Sequence, residues 1–153
     1  MSTFKSILLT VLVSMVPVFE LRGGLPMGVS FGLPFPVAIT AAIIGNLIPV
    51  PFIIIFISRI FAFLRRKIPK LEKFISALED RAKRKGDIVE KYSAIGLCLL
   101  VAIPLPGTGA WTGSLVAAIL NIRLKRAVPA IVVGVLIAAA IVTAVTYGVV
   151  RLV

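Results

Sequence analysis

One short stretch, residues 20–26, reads Glu20-Leu21-Arg22-Gly23-Gly24-Leu25-Pro26 and combines an acid, a base, two glycines and a proline. Glu20 is the only acidic residue outside residues 72–90, and the flanking stretches 7–19 and 27–58 carry no charge. Charged side chains inside a long apolar sequence are costly at membrane depth and mark a functional site by default. The stretch therefore predicts a membrane protein with its site at a charged interruption of apolar helices.

The apolar content of the chain also indicates an integral membrane protein. Hydrophobic residues make up 59% of the 153 residues, above the usual share in soluble domains. Three runs, 23–58, 92–122 and 127–150, contain no charged residue. The last run would form a helix of about 36 Å, long enough to cross a hydrocarbon core of about 30 Å. We expect an all-α integral membrane protein with a single membrane domain over residues 1–153.

The net charge of +11 is distributed as in a membrane protein rather than in a nucleic-acid-binding protein. Of the 17 lysines and arginines, 11 lie between Arg59 and Lys91, and three lie in residues 123–126. Basic residues that cluster beside apolar spans follow the positive-inside rule. We therefore expect the 65–91 segment to be cytoplasmic, and we expect no nucleic-acid partner.

The residue inventory gives no sign of a cofactor or of catalysis. The chain has no histidine and one cysteine, Cys98, in the middle of an apolar run, where a small buried hydrophobe is expected. Haem, zinc and iron–sulfur sites need more ligands of these types. No acid pair or activated nucleophile is visible, and no Lys-Ser/Thr follows the glycine-rich breaks as in a P-loop. We expect no metal, no cofactor and no enzymatic activity.

The two halves of the chain share one outline, in which a short apolar helix, a Gly/Pro break, a second short helix and a full span follow each other. In repeat 1, residues 4–64, these parts are 4–19, 20–26, 27–34 and 36–64. In repeat 2, residues 92–151, they are 93–103, 104–109, 110–122 and 127–150. Paired interruptions at corresponding positions are typical of transporters built from repeats, with the site at the breaks.

The charge distribution predicts an inverted topology for these repeats. If each broken unit is a re-entrant hairpin, only 36–64 and 127–150 cross the membrane. With the 65–91 linker inside, the basic turn 123–126 is also inside and both termini are outside, which agrees with the positive-inside rule. One hairpin then dips from each face. The alternative, in which residues 4–20 span fully and the N-terminus is inside, stays open.

The linker between the repeats reads as an amphipathic helix over residues 68–85. Leu71, Phe74, Ile75, Leu78 and Ala82 recur at helical spacing and predict one apolar stripe, and Gly86 is a suitable helix stop. Basic residues flank the stripe. We expect the helix to lie at the headgroup level with anionic lipids at the 65–91 segment, or to pack on a partner.

The first break supplies the charged candidates for a site. We expect a sharp reversal at Gly23 and Gly24 and a helix restart at Pro26. Glu20 and Arg22 would partly neutralise each other at the hairpin tip. Burial raises the pKa of a carboxyl so that it can carry a proton, and a nearby cation opposes that shift. The Arg22 guanidinium suits a phosphate group, which it can bind through two hydrogen bonds.

The second break supplies uncharged candidates. Its prolines and glycines rule out a regular helix, and the helix that begins near Ala110 offers free amide groups to an anion. Trp111 is either a lid or an interfacial aromatic, and Asn46 either lines the same cavity or forms a helix–helix hydrogen bond. The remaining candidates in this region are Pro104, Pro106, Gly107, Thr108, Gly109, Thr112 and Ser114.

The motifs ELRGGLPMG at 20–28 and PLPGTGAWTGS at 104–114 resemble those of the small multidrug export protein family of prokaryotic membranes. The likeness covers nearly the whole chain and implies transport across the cytoplasmic membrane. The outline also resembles the DedA (VTT-domain) superfamily, whose opposed re-entrant hairpins are implicated in moving lipids, including polyprenyl-phosphate carriers. In that superfamily the first hairpin carries acids, which Glu20 matches, and the second carries arginines, which this chain lacks there.

Three functions follow as hypotheses. The first is a transporter or lipid translocase that moves an anionic lipid or lipid-phosphate carrier between the hairpins, with proton coupling through Glu20. The second is proton-coupled efflux of small drugs or cations with Glu20 as the cation site. The third is a non-transport membrane scaffold that uses the 68–85 helix. Because two crossings and two hairpins enclose little space, we expect a homodimer.

Overall fold

The computed structural model describes the backbone of residues 2–92, 94–105 and 107–152 and the side chains of residues 2–84, 94–105 and 107–145. These residues form helices joined by short connections, with no strand among them. The helices are α1 Thr3–Met15, α2 Glu20–Ser30, α3 Phe35–Leu47, α4 Pro49–Lys67, α5 Glu72–Tyr92, α6 Ala94–Ala102, α7 Ala110–Ile119 and α8 Leu124–Leu152, and a 3₁₀ turn at Pro69–Leu71 precedes α5.

The first three helices pack tightly on one another. One face of α1 carries the fully buried hydroxyl residues Ser6, Thr10 and Ser14, and the hydroxyls of Thr10 and Ser14 each donate 2.8 Å hydrogen bonds to the carbonyl four residues earlier. Glycines face this stripe, since a Cβ on Gly24 would overlap Ser14 and one on Gly45 would overlap the backbone of α1. Small residues on both sides therefore let the helix backbones approach closely.

This packing corrects the expected position of the first break. Residues 20–26 are not a reversal, because α2 runs through Gly23, Gly24 and Pro26, and the chain turns at residues 16–19 instead. Val16 is extended, as a residue before proline prefers to be, and Pro17 follows it. The glycines serve contact with α1 rather than a turn, and Pro26 removes one backbone hydrogen bond without ending α2.

Among the described residues, two helices are long and apolar enough to cross a membrane, Phe35–Lys67 and Leu124–Val145. The first combines α3 and α4, which meet at Ile48, directly before Pro49 and Pro51. The second is part of α8. Residues 124–126, which were expected to belong to a basic turn before this helix, form its first turn. Large apolar side chains such as Phe52, Phe56 and Leu136 are exposed on these helices, as a bilayer-facing surface requires.

The linker forms a longer helix than its sequence indicates. Gly86 does not stop it, and α5 continues to Tyr92. Ile75 and Ala82 of the expected apolar stripe are buried, whereas Phe74 is 62% exposed. The helix contacts α4, α6 and α7, and Arg65 of α4 forms an ion pair with Glu79 of α5 at 2.6 Å. The amphipathic helix therefore packs partly against the chain itself, and the side chains of its last part, 85–92, lie outside those described.

In the second half, α6 packs along α8 and α7 packs against α4. Gly134 permits the first contact, because a Cβ there would lie 2.8 Å from the Cys98 carbonyl oxygen and 2.7 Å from Cβ of Val101. Cys98 itself is half-buried rather than fully buried. The order of short helix, break, short helix and long helix is thus present in both halves, whereas the inverted, re-entrant arrangement in a bilayer stays a prediction.

Candidate functional site

The two breaks, far apart in sequence, lie against each other in the structure. The first consists of residues 16–19 and the start of α2, and the second consists of residues 103–109 and the start of α7. Hydrogen bonds join them across more than eighty residues of sequence. The donors are the Arg22 guanidinium, the backbone N–H of Trp111 and the indole N–H of Trp111. The two breaks therefore contact each other directly, as a site that combines them would require.

Glu20 closes the N-terminus of α7. Its side chain is 6% exposed, and Oε1 accepts a 3.1 Å hydrogen bond from the backbone N–H of Trp111, in the first turn of that helix. A carboxylate there satisfies an unpaired amide and complements the helix dipole. Glu20 has a φ of 47°, a left-handed conformation that is strained for a residue with a Cβ and that occurs preferentially at functional sites. The predicted anion site at this helix terminus is thus occupied by the chain's own carboxylate.

Gly109 makes the approach of Glu20 possible. Its φ of 132° lies in the region that favours glycine, and a Cβ built on it would overlap the carboxylate oxygens of Glu20. The glycine is therefore required both by its backbone conformation and by the space that Glu20 fills.

Arg22 binds the backbone of the opposite break rather than Glu20. Its Nη1 donates a 2.6 Å hydrogen bond to the carbonyl of Leu105, and Nη2 donates to the carbonyl of Thr108 at 3.2 Å and to its hydroxyl at 3.1 Å. Glu20 and Arg22 form no ion pair within 4 Å, although the charge of Arg22 still acts on the Glu20 carboxylate, in line with the expected partial neutralisation. Each charge instead satisfies backbone groups that the break leaves without helical partners.

Trp111 links α7 to the end of α1. Its indole N–H donates a 2.8 Å hydrogen bond to the carbonyl of Met15, the last residue of α1, and the ring is half-buried. The residue is thus part of the contact between the breaks, which neither of its two expected roles described. Met15 was not predicted, because a backbone acceptor leaves no signal in the sequence.

A cavity of about 400 Å³ lies beside this contact. The predicted residues Glu20, Arg22, Gly107, Thr108 and Thr112 line it. Three apolar residues of the first break complete it, namely Pro17, Val18 and Phe19. These were missed, although the proline directly before an intramembrane acid was a usable signal. Charged and apolar walls together suit an amphipathic molecule.

Other predicted site residues lie elsewhere. Gly23, Gly24 and Pro26 are interior to α2, and the hydroxyl of Ser114 donates to the Ala110 carbonyl of its own helix. Asn46 is buried in α3, and its Oδ1 accepts no hydrogen bond from any described residue. Pro104 lies in the second break without lining the cavity.

Pro106 lies outside the described residues. The structure thus brings together the charged residues and the loop hydroxyls, and it assigns the glycines of the first motif to helix packing.

The sequence model of one protein family, described as "Putative small multi-drug export protein", matches residues 20–141. The chain belongs to this family. The match begins at Glu20, so it includes the charged start of α2, the second break and the helices between them, but not residues 16–19. No curated protein and no solved structure matches the chain. The family supports a membrane protein with a transport function, and the likeness to the DedA superfamily stays a prediction.

Thr108 offers a test of how the second break is held. Its hydroxyl lies 2.7 Å from the Ile103 carbonyl, accepts from the Leu105 amide at 3.1 Å and receives one of the Arg22 hydrogen bonds. We expect Thr108→Val to lower the free energy of unfolding by about 1 kcal/mol, because the Leu105 amide and the partly buried Arg22 guanidinium each lose a hydrogen bond. Thr108→Ser keeps the hydroxyl and is the control. Equal melting temperatures for the valine and serine variants in detergent would contradict this role.

Proposed function

We propose that this protein is a membrane transporter in which the contact between the two breaks is the gate and the adjoining cavity is the substrate site. The observation that carries the proposal is that both charged residues of the first break form hydrogen bonds to the second. Glu20 binds the start of α7, and Arg22 binds Leu105 and Thr108. These are the two charged side chains of the cavity. Buried charges at a junction of broken helices are typical of transport sites.

In this proposal the two broken units are re-entrant hairpins that dip from opposite faces of a prokaryotic cytoplasmic membrane. The 13 residues of α1 and the 10 residues of α7 correspond to about 20 Å and about 15 Å of helix, each less than a hydrocarbon core of about 30 Å. The residues between α4 and α6 would face the cytoplasm, following the positive-inside rule. We further propose a homodimer, because one chain encloses little of a path.

The substrate that fits the cavity best is an amphipathic anion, such as an anionic lipid or a lipid-phosphate carrier. Arg22 is half-buried whereas Glu20 is almost fully buried, so the guanidinium is the more accessible charge. A phosphate group is a stronger partner for a guanidinium than the backbone carbonyls it now binds. Val18, which is 84% exposed at the cavity wall, would contact the apolar part of the substrate.

Opening would require both sets of hydrogen bonds to break. A phosphate that binds Arg22 competes with the carbonyls of Leu105 and Thr108, which releases that side of the gate. A proton on Glu20 removes the charge that attracts the start of α7, which releases the other side. This arrangement makes proton coupling a natural consequence of the gate, with Glu20 as the proton carrier.

The test is flux of a labelled polyprenyl phosphate or phospholipid in proteoliposomes that contain the purified protein. We expect Glu20→Gln and Arg22→Ala each to reduce flux by tenfold or more, a loss of roughly 1.4 kcal/mol or more of transition-state stabilisation. Arg123→Ala, which removes an exposed cation that does not line the cavity, is the matched control and should leave flux unchanged. No flux for the wild type, or wild-type flux in both site variants, would contradict the proposal.

A second candidate is proton-coupled efflux of small drugs or cations, which the family description favours. Here Glu20 would be the cation site and proton and substrate would compete for it. Growth on toxic cations with and without the gene, over a range of external pH, distinguishes the candidates. Resistance that disappears with Glu20→Gln while lipid flux stays absent would favour efflux. Loss of function only on deletion of 68–85 would indicate the scaffold hypothesis instead.

The proposed topology predicts which positions a membrane-impermeant thiol reagent reaches. In a Cys98→Ala background, we expect cysteines at Lys70 and Arg123 to react only from the cytoplasmic side and a cysteine at Lys5 only from outside. All three residues are exposed. Position 24 is unsuitable for such mapping, because α1 packs directly on that glycine. Reaction of the Lys5 position from the cytoplasmic side would show that α1 spans the membrane and is not re-entrant.

A further inference from the structure

A second cavity lies on the outer side of α6 and α8, away from the gate, and we call it the α6–α8 groove. Its volume is about 380 Å³, and it shares no lining residue with the cavity at the breaks. Small residues form its floor, namely Ala94, Cys98 and Ala130. The groove is therefore a feature of this helix pair that the proposed transport path does not use.

The sides of the groove are formed by large apolar side chains. Ile95 and Leu99 of α6 and Val133 of α8 line it, and each of these side chains is more than two-fifths exposed. The groove lining at the Val133 end is apolar, and the next residue, Gly134, brings α8 against the Cys98 carbonyl. Small and large apolar residues side by side on two adjacent helices suit the acyl chain of a lipid.

The other end of the groove carries two cations. Lys125 and Arg126 line it, both are exposed, and both lie in the first turn of α8. The N-terminus of a helix favours negative charge, and α8 has no acidic residue in its first turn. Two cations at this position therefore add to the positive helix dipole instead of offsetting it. An anion bound at this end would relieve that repulsion.

We propose that the α6–α8 groove binds an anionic phospholipid, with an acyl chain between the walls and the phosphate held by Lys125 and Arg126. Long basic side chains at the end of a membrane span extend to the headgroup level, where they meet lipid phosphates. The lipid is a bound component of the protein and not the transported substrate.

Cys98 provides the readout, because it is the only cysteine of the chain and lies on the groove floor. The full-length protein in nanodiscs of neutral phosphatidylcholine is treated with a bilayer-soluble maleimide, with and without added phosphatidylglycerol. We expect phosphatidylglycerol to slow alkylation several-fold, and native mass spectrometry to detect one retained phosphatidylglycerol per chain. Lys125→Gln with Arg126→Gln should weaken that retention by about tenfold or more, because each cation near the surface attracts an anionic headgroup.

The controls separate the lipid from other occupants. Arg123→Gln removes an exposed neighbouring cation that does not line the groove and should retain the lipid. Inorganic phosphate or glycerophosphoglycerol, which lack acyl chains, should leave Cys98 reactivity unchanged, and protection by either would assign the site to a free phosphate. Equal protection in purely neutral lipid together with a dimer in the mass spectrum would assign the groove to a second copy and overturn the proposal. Equal retention by the double variant and Arg123→Gln would overturn it as well.

Ala94→Leu provides an independent test by filling the floor without changing charge. We expect this variant to lose the bound lipid while its melting temperature in detergent stays close to that of the wild type, since Ala94 is only half-buried. If the variant does not fold, the charge variants still decide the question. Wild-type lipid retention by a folded Ala94→Leu protein would show that no acyl chain occupies the groove.

Discussion

Gly109→Ala is expected to lower the free energy of unfolding by about 3 kcal/mol or more and to abolish transport. A left-handed φ costs a residue with a Cβ about 1–3 kcal/mol, and overpacking a filled site costs a similar amount. Both apply here, because Gly109 has a φ of 132° and its Cβ would overlap the Glu20 carboxylate. Thermal unfolding in detergent measures the loss of stability, and flux in proteoliposomes measures the loss of transport.

Gly32 offers a partial control for the backbone part of this effect. It also has a positive φ, 81°, but a Cβ built on it has no atom within 4 Å. Gly32→Ala should therefore lose only about 1 kcal/mol, from its backbone conformation, and should still transport. The difference between the two variants combines the contact with Glu20 and the larger backbone cost at Gly109, whose ψ of −168° lies in a region adopted almost only by glycine. Equal destabilisation of both would show that the close approach of Glu20 to Gly109 has no energetic importance.

A double variant sharpens the same prediction. If overlap with the carboxylate is the main cause, Glu20→Ala should suppress part of the damage of Gly109→Ala, because the shorter side chain leaves room for the new methyl group. We expect an interaction energy of about 1 kcal/mol or more between the two positions, as for residues in direct contact. Strict additivity would contradict the direct contact between the breaks.

Arg22→Lys is expected to reduce flux by tenfold or more although the positive charge is kept. Two nitrogens of the guanidinium reach three acceptors on Leu105 and Thr108, whereas a lysine presents one nitrogen that cannot satisfy them together. Hydrogen bonds from a charged group contribute about 1.5–3 kcal/mol each, so we also expect destabilisation of about 2 kcal/mol. Melting temperature and flux are measured on the same preparation.

Arg123→Lys is the control for this substitution, because Arg123 is exposed and does not line the cavity. It should behave as the wild type in both measurements. If Arg22→Lys also behaves as the wild type, charge alone holds the second break and the forked geometry is irrelevant.

Periodicity and charge predicted the two long apolar helices, the linker helix and the two breaks, because each of these depends on local composition. The positions of the breaks were less accurate. Gly23, Gly24 and Pro26 read as a turn because these residues favour turns, yet tertiary contact with α1 makes them part of a helix. Gly86 was also wrong as a helix stop, and α5 continues past it to Tyr92.

The candidate site was recognisable from the rarity of its charges but not in its connections. Glu20 and Arg22 stood out as the two charges of an apolar region, and their nearness in sequence suggested a mutual pair. Apart from the Thr108 hydroxyl, their actual partners are backbone groups of Leu105, Thr108 and Trp111, which carry no chemical label in a sequence. For the same reason the acceptor of Trp111, the Met15 carbonyl, was not predictable.

The central claim is that the contact between the breaks opens during transport, and the single tryptophan tests it most directly. Trp111 bonds Glu20 through its amide and Met15 through its indole ring, so its fluorescence reports on that contact. We predict that a substrate gradient shifts its emission and raises its quenching by acrylamide in the wild type, and that Glu20→Gln shows raised quenching even without substrate. Flux at the wild-type rate with unchanged emission and quenching would contradict the claim.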